Sequence, residues 1–387
     1  MKRIPLTPRK DWVEKVEALG FTFHSLDNLY WDESAAYEFK MEEITTIENA
    51  TNLLHTMCID AVQHIIDNDL FARFGVQDDF KKLIIESWDG EFPSIYGRFD
   101  FGYNPNAPAD QQLKLLEYNA DTPTSLFEAS VVQWFWLQDY GSTFDQFNSI
   151  HEKLIAYWHY VTPYLKHSPM LHFACLSENI EDLTTTEYLR DTAIQAGLET
   201  KLLYMEQIGF HAETGFYYDM DDEEIDNLFK LYPWEWLTIE EFSSGLYNNP
   251  NCGYFIEPAW KALLSNKTIL TILWELYPDH PLLLPSYEQK SMFADRGVDY
   301  VSKPALGREG NNITVTKSGL DVTNTDGNYG DSKKIYQQLF NTPNFEGNFP
   351  IIGSWVIGGE AAGMGIRESN TLITNNTSRF VPHYIND

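Results

Sequence analysis

Arg98 and Asp100, then Glu117 and Asn119, stand two apart in two short runs, and these spacings give the first chemical lead. Both runs, Arg98-Phe99-Asp100 and Leu115 to Asn119, read as strands, in which residues two apart project from one face. If the strands are neighbours, one surface carries two carboxylates, a carboxamide and a guanidinium. Hard oxygen ligands of this kind suit magnesium, which keeps some waters and shares its shell with substrate phosphates. The arginine beside them would balance phosphate charge with a fixed fork of donors. The set points to a nucleotide-phosphate site. The competing reading is two ordinary strands with solvated polar faces.

A second group lies in the last third of the chain. Residues 299 to 304 read as a strand that delivers Lys303, and Ile313 to Thr316 alternates as another. The loop between them holds Gly307 and Gly310, and glycine lets backbone N–H groups approach an anion closely. It lacks the GxxxxGK[ST] pattern and opens no helix, so neither a P-loop nor a dinucleotide fingerprint applies. A β-hairpin lid over phosphates is the functional reading, and a plain surface hairpin is the alternative. Residues 335 to 339 form a further expected strand whose amides, Gln337 and Gln338, suit an adenine edge. Residues 351 to 357 and 360 to 366 predict a hairpin about Gly358-Gly359, its second strand running into Arg367 and Glu368. Leu372-Ile373-Thr374 then precedes a polar turn from Asn375 to Arg379.

Composition bounds what such a site serves. The chain has 387 residues, 43% of them hydrophobic and 15% aromatic, enough for a large folded core. Its net charge of −30 argues against nucleic acid and against anionic membrane surfaces. Cys58, Cys175 and Cys252 are far apart and fit neither a zinc site nor a disulfide framework. The N-terminus is basic without a signal peptide's apolar run, and no window reaches the length of a membrane helix. A cytoplasmic protein is expected.

The supporting elements follow from periodicity. Helices are expected at 9–20, 41–69 and 79–88. The spacing of Ser125 and Glu128 matches a capping box ahead of another helix. From 150 to 165 a helix, at 170–176 a strand, at 184–196 a helix and at 200–205 a strand predict a small α/β unit. Asp221 to Glu224 reads as a solvated helix start. The aromatic run Phe229 to Trp236 reads as packing between units, with a ligand-stacking platform as the alternative. The expected division is 1–150, a helical region with the metal strands; 151–250, a small α/β substrate-side region; and 251–387, the lid and nucleotide region. Together they form one synthetase unit.

Taken in order, the motifs RFD at 98, LLEYNADTPTSL at 115, FIEPAWKALLSNK at 255, LWELYPDHPLLLPSY at 273, VSKPALGREGNNI at 301, YQQL at 336, GIRE at 365 and SRFVPH at 378 resemble the synthetase domain of the glutathionylspermidine synthase family. The likeness runs from about residue 10 to 385 and is nearest to the family's stand-alone bacterial acid–amine ligase-like members. It implies an α+β, ATP-grasp-type fold with mixed sheets, a hairpin lid and flanking helices, and no amidase domain. It also implies ATP as co-substrate and Mg²⁺, with a small-molecule or peptide carboxylate joined to an amine. By position, Asp100, Glu117 and Asn119 would hold magnesium. Arg98, Phe99, Asp100, Lys267, Lys303, Gly310, Gln338, Leu372, Ile373 and Thr374 would bind nucleotide. Arg98 and Arg367 would act in catalysis. The family's peptide-binding pattern has no clear counterpart at 178–190 or at Lys230-Leu231, where Leu231 replaces a polar side chain, and Glu309 replaces a small lid residue. These departures leave the acid, the amine and the oligomeric state open.

Activated carboxylate chemistry accounts for the residue types. Carboxylate oxygen is a poor leaving group until ATP phosphorylates it, and phosphoryl transfer asks for alignment and charge neutralisation rather than a nucleophilic side chain. A regulatory nucleotide-binding protein, or a simple ATPase that keeps the ATP-grasp shell, is the alternative.

Overall fold

The computed structural model describes every residue except 26, 27, 142, 167, 250, 251, 331, 376, 377 and 387. Five antiparallel strands form a central sheet, in the order Arg379–Val381, Glu360–Ser369, Phe349–Ile357, Tyr96–Tyr103 and Leu113–Asn119. The expected neighbours are paired, Arg98 opposite Asn119 and Asp100 opposite Glu117. Strand alternation then separates two faces. Arg98, Asp100, Glu117 and Asn119 share the front, while Phe99, Phe101 and Tyr118 point to the back, where Phe99 stacks on Tyr118 at 3.9 Å.

The long helix Met41–Asp67 covers that back face with Ile44, Ile47, Leu54, Met57, Val62 and Ile65 buried. Its start is stabilised by Glu43, which accepts the Lys40 backbone N–H at 3.0 Å, as an acid in the first turn should. Thr51 on this helix meets Ser354 of the sheet at 2.7 Å. The hairpin turns at Gly358-Gly359, whose φ values of 56° and 89° favour glycine.

Beside the central sheet stands a four-stranded parallel sheet, in the order Tyr254–Ile256, Asn227–Lys230, Met170–Cys175 and Glu199–Tyr204. The helix Ile180–Gln195 makes the crossover between the last two. It begins four residues earlier than the sequence predicts, because the Asn179 side chain accepts from the N–H groups of Glu181 and Asp182, each at 3.1 Å. A third sheet carries the loop from Ala305 to Asn312, in the order Ser286–Tyr287, Lys334–Gln338, Tyr300–Pro304, Thr314–Lys317 and Leu320–Asn324.

Two local expectations are corrected. Ser125 makes no capping box: it has φ 65°, its hydroxyl accepts from Arg98 and donates to the Thr124 carbonyl, and Glu128 accepts from Tyr30 instead. Asp221 to Glu224 starts no helix. The Asp219 carboxylate accepts the N–H groups of Asp221 and Glu223 at 2.8 and 3.1 Å, closing a turn in which Asp222 has φ 60°.

Candidate active site

The front face of the central sheet, the third sheet and the carboxyl ends of the parallel strands enclose one cavity of about 290 Å³. Arg98, Asp100, Glu117, Asn119, Lys267, Lys303, Gly310, Gln338, Arg367, Leu372, Ile373 and Thr374 all line it. Phe99 does not. Its ring lies on the back of the sheet, fully buried, so only its main chain stands near the cavity.

The Arg98 guanidinium forks onto Asp100 at 2.6 and 3.0 Å, and its remaining terminal nitrogen donates to the Thr124 carbonyl at 2.7 Å. Gly353 makes room for this, since a Cβ there would lie 2.8 Å from Arg98 Cδ. The Asn119 amide nitrogen reaches both carboxylates, at 3.2 Å to Asp100 and 3.3 Å to Glu117. The amide therefore stands between the two acids. The amide presents its nitrogen to the acids here; two carboxylates and a carboxamide are the residue types that could hold a magnesium ion completing its shell from water and phosphate. Among the described residues no group of three His, Cys, Asp or Glu side chains is placed to hold a metal.

Two lysines face this group. Lys267 lies 3.2 Å from Glu117 and donates to the Gly307 carbonyl at 2.6 Å. Lys303 donates to the Leu116 carbonyl and to Gln337 Oε1, both at 2.8 Å. Gln337 in turn donates to the Leu115 carbonyl at 3.1 Å, so this amide positions a lysine, and both Gln337 and Gln338 line the cavity. Burial pushes Lys303 down to about 8, with Lys267 adding to the shift and Glu117 and Asp100 opposing it. Burial favours the neutral form of Glu117, yet Lys267 and Lys303 outweigh it and hold this carboxyl low. Burial raises Asp100 in spite of Arg98, and Glu117 adds to the rise.

Arg367 donates one terminal N–H to the Asn375 carbonyl at 2.9 Å, and its Nε has no hydrogen-bond partner. Glu368, its sequence neighbour, belongs to the opposite face and binds Arg3, Arg379 and Tyr37. Gly310, with φ 69°, brings the 305–312 loop against the 372–374 segment; a Cβ there would lie 2.3 Å from the Thr374 carbonyl oxygen. Of the polar turn that follows, Asn376 and Thr377 lie outside the described residues.

Sequence reasoning overlooked the other end of the cavity. Asn179, Glu181 and Asp182, which follow the strand Met170–Cys175, and Trp236, which follows Asn227–Lys230, line it together with Arg308. Ligands gather at the carboxyl ends of parallel strands, so the predicted strand–helix–strand rhythm was the available signal. Arg308 crosses from the 305–312 loop, donating to Thr122 at 2.6 Å and Glu235 at 2.8 Å over the Trp236 ring. Burial lifts Asp182 to about 7, with Glu181 adding to the rise and Arg308 opposing it.

Comparison with known proteins agrees with this arrangement. The family described as "Glutathionylspermidine synthase preATP-grasp" matches residues 3–386. A Haemophilus influenzae protein named "Putative acid--amine ligase" is 42% identical, over 99% of both chains. Trypanothione synthetase of Crithidia fasciculata is 30% identical over 84% of this chain and 53% of its own length. The bifunctional glutathionylspermidine synthetase/amidase of Escherichia coli is 27% identical over 96% of this chain and 63% of its own. This chain thus spans about half to two thirds of those two longer relatives. A glutathione synthetase-like effector of Globodera pallida superposes over the whole of both chains with a TM-score of 0.60 at 10% identity, a likeness of fold alone. The fold is α+β and ATP-grasp-like, and the chain belongs to the glutathionylspermidine synthase family.

Proposed function

We propose that this protein is an ATP-dependent ligase that joins a carboxylic acid to an amine. The observation that carries the reading is the convergence of Asp100, Glu117, Asn119, two lysines and two arginines on one cavity whose described lining holds no serine, cysteine or histidine. Phosphoryl transfer to a carboxylate needs that inventory, and a covalent-catalysis site does not. The names of the relatives, acid–amine ligase and trypanothione and glutathionylspermidine synthetase, support the same class.

In this reading the carboxylate oxygen attacks the γ-phosphorus of ATP and ADP leaves. The amine then attacks the acyl phosphate, forming the amide and releasing phosphate and a proton. Leu116, Val301, Val315, Leu339 and Phe340, all in the lining, form the slot for the adenine ring, with Gln338 at its edge. Lys267 and Lys303 neutralise the phosphates. Asp100, Glu117 and Asn119 would hold Mg²⁺, which when bound supplies positive charge to the phosphate oxygens. Arg98 and Arg367 flank the site of transfer, and the Arg367 guanidinium, which lines the cavity, bridges the acceptor carboxylate and the moving phosphoryl group. The loop from Ala305 to Asn312 closes over the phosphates and keeps water from the acyl phosphate. The acceptor and amine belong at the end lined by Asn179, Glu181, Asp182, Trp236 and Arg308.

The reading includes a cytoplasmic place, supported by three free, buried cysteines. Among the described residues no helix is long and apolar enough to cross a membrane. The test is phosphate release from MgATP across a matrix of peptide carboxylates, glutathione included, and amines, polyamines included. Release stimulated by one acid and amine together, with a matching amide product, is expected. Equal release with water alone would make the protein an ATPase.

A further inference from the structure

A second cavity, of about 540 Å³, opens behind the central sheet and shares no lining residue with the site cavity. Tyr118 belongs to its wall, pointing away from the face that carries Glu117 and Asn119. Trp88 and Trp260 form two sides, ring centroids 5.5 Å apart and planes at 81°. Tyr157 and Tyr160 form a third, stacked at 5.2 Å, and Phe92 completes the aromatic lining. The Gly358-Gly359 turn forms the floor. A Cβ on Gly358 would lie 2.2 Å from the Tyr157 ring, so glycine there lets ring and backbone touch.

The polar inventory of this cavity selects a ligand. Among the described residues His55 Nδ1 and the Tyr118 hydroxyl have no hydrogen-bond partner, and both atoms are buried behind the cavity wall, so neither competes for a ligand. Lys261 is fully engaged, donating to Ser94 at 2.6 Å and the Tyr96 carbonyl at 2.8 Å beside Glu257 at 3.3 Å. Its Nζ also lies 5.8 Å from both the Tyr118 and Trp260 rings, so those two faces already hold a cation, while its saturated bonds leave no spare charge for an anion. Asp89 and Glu91 stand exposed at the mouth, and the whole chain carries −30. Burial, with Lys261 adding to it, holds His55 down at about 4, so at neutral pH the imidazole keeps a lone pair.

We propose that this cavity binds an organic amine cation, an arylalkyl- or alkylammonium. Its carbon skeleton packs against the Trp88, Tyr157 and Tyr160 rings, and its charge rests against those faces beside the two rim carboxylates, at the end of the cavity away from Lys261. Tryptophan and tyrosine faces attract ammonium groups most strongly where water is excluded. The volume falls within the range of small-molecule pockets.

The probe is 2-phenylethylammonium, titrated into protein carrying ¹⁵N-labelled tryptophan, with phenylacetate as the anionic isostere. The indole signals of Trp88 and Trp260 report this cavity, and that of Trp236 reports the site cavity. Saturable shifts at Trp88 and Trp260 with the amine and none with phenylacetate are expected. Tyr160 is 54% exposed and Asp89 and Glu91 are surface residues, so Tyr160→Ala and the double variant D89N/E91Q keep the fold. Each should weaken binding about tenfold, the scale of a cation–π or charge contact in a partly desolvated site. Three results would overturn the proposal: no saturable shift at Trp88 or Trp260, shifts confined to Trp236, or equal response to phenylacetate. Unchanged affinity in both variants would do the same.

Discussion

Asp121–Lys230 and Glu117–Lys267 are ion pairs four residues apart at their acidic ends, yet they serve different purposes. Asp121 and Lys230 have no exposed side-chain surface. Asp121 binds Lys230 at 3.1 Å and the Trp234 N–H at 2.9 Å, while Lys230 also donates to the Tyr232 carbonyl and lies 4.4 Å from the Trp234 ring. This pair is saturated. It ties the segment after the strand Leu113–Asn119 to the parallel sheet. Glu117 and Lys267 retain 24% and 10% side-chain exposure, and both line the cavity. The first pair has spent its charge on the fold. The second keeps carboxylate and ammonium available to something that enters. Removing one partner of a closed pair strands a buried charge, whereas removing one partner of an open pair changes what the cavity can bind.

The sharpest way to break this contrast is Asp100→Asn. The fold and melting temperature should be kept while ATP turnover is abolished, because one of two anionic donors is lost. Normal phosphate release from the folded variant would remove Asp100 from the site. Next in size is Asp121→Asn, which leaves Lys230 buried and unpaired. It should cost about 3–5 kcal/mol in denaturant unfolding, with the remaining folded fraction still turning over. A stable but inactive protein would place Asp121 in the site instead.

Arg367→Lys comes third. Arg367 lines the cavity and Glu368 is committed to Arg3 and Arg379 on the other face, so no salt bridge to its neighbour is lost. MgATP binding should persist while phosphoryl transfer falls about 10²–10³-fold, the usual cost of one donor aimed at transition-state charge. A drop in melting temperature with full specific activity would make it structural. The smallest effect is in pH. Lys303 is depressed to about 8; with the proposed role of binding phosphate in its protonated form, MgATP affinity should be full below that value and fall as pH rises through it. Lys303→Arg should flatten the profile, since arginine stays charged throughout. A wild-type affinity unchanged from pH 7 to 9 would contradict this role for Lys303.

These contrasts also show what the sequence could reveal. Residues two apart on a strand share a face by local geometry, so Arg98 with Asp100 and Glu117 with Asn119 were legible, as was their pairing through a short connection. The glycine turn at 358–359 and the long helix after Lys40 were legible for similarly local reasons. That Lys267 and Lys303 line the same cavity as those carboxylates came only from the family resemblance, since no local rule joins positions so distant. The Asp121–Lys230 pair spans 109 residues and left no local trace. Ser125 misled because a capping-box spacing is blind to Arg98, which takes up that hydroxyl from 27 residues away. Phe99 was included as the middle of a motif, although strand parity already set its ring on the other face. Asn179 was a readable cap, and its position at the end of a parallel strand would have pointed to the acceptor end of the cavity.

The most direct test of the ligase reading follows the carboxylate oxygen. With an active acid–amine pair in hand, the acid is labelled with ¹⁸O in its carboxyl group and the released phosphate is analysed by mass spectrometry. An acyl phosphate transfers one labelled oxygen to each phosphate and yields ADP, in step with amide formation. Unlabelled phosphate would mean that water, not the carboxylate, attacks ATP, and the ligase mechanism built on this cavity would be wrong.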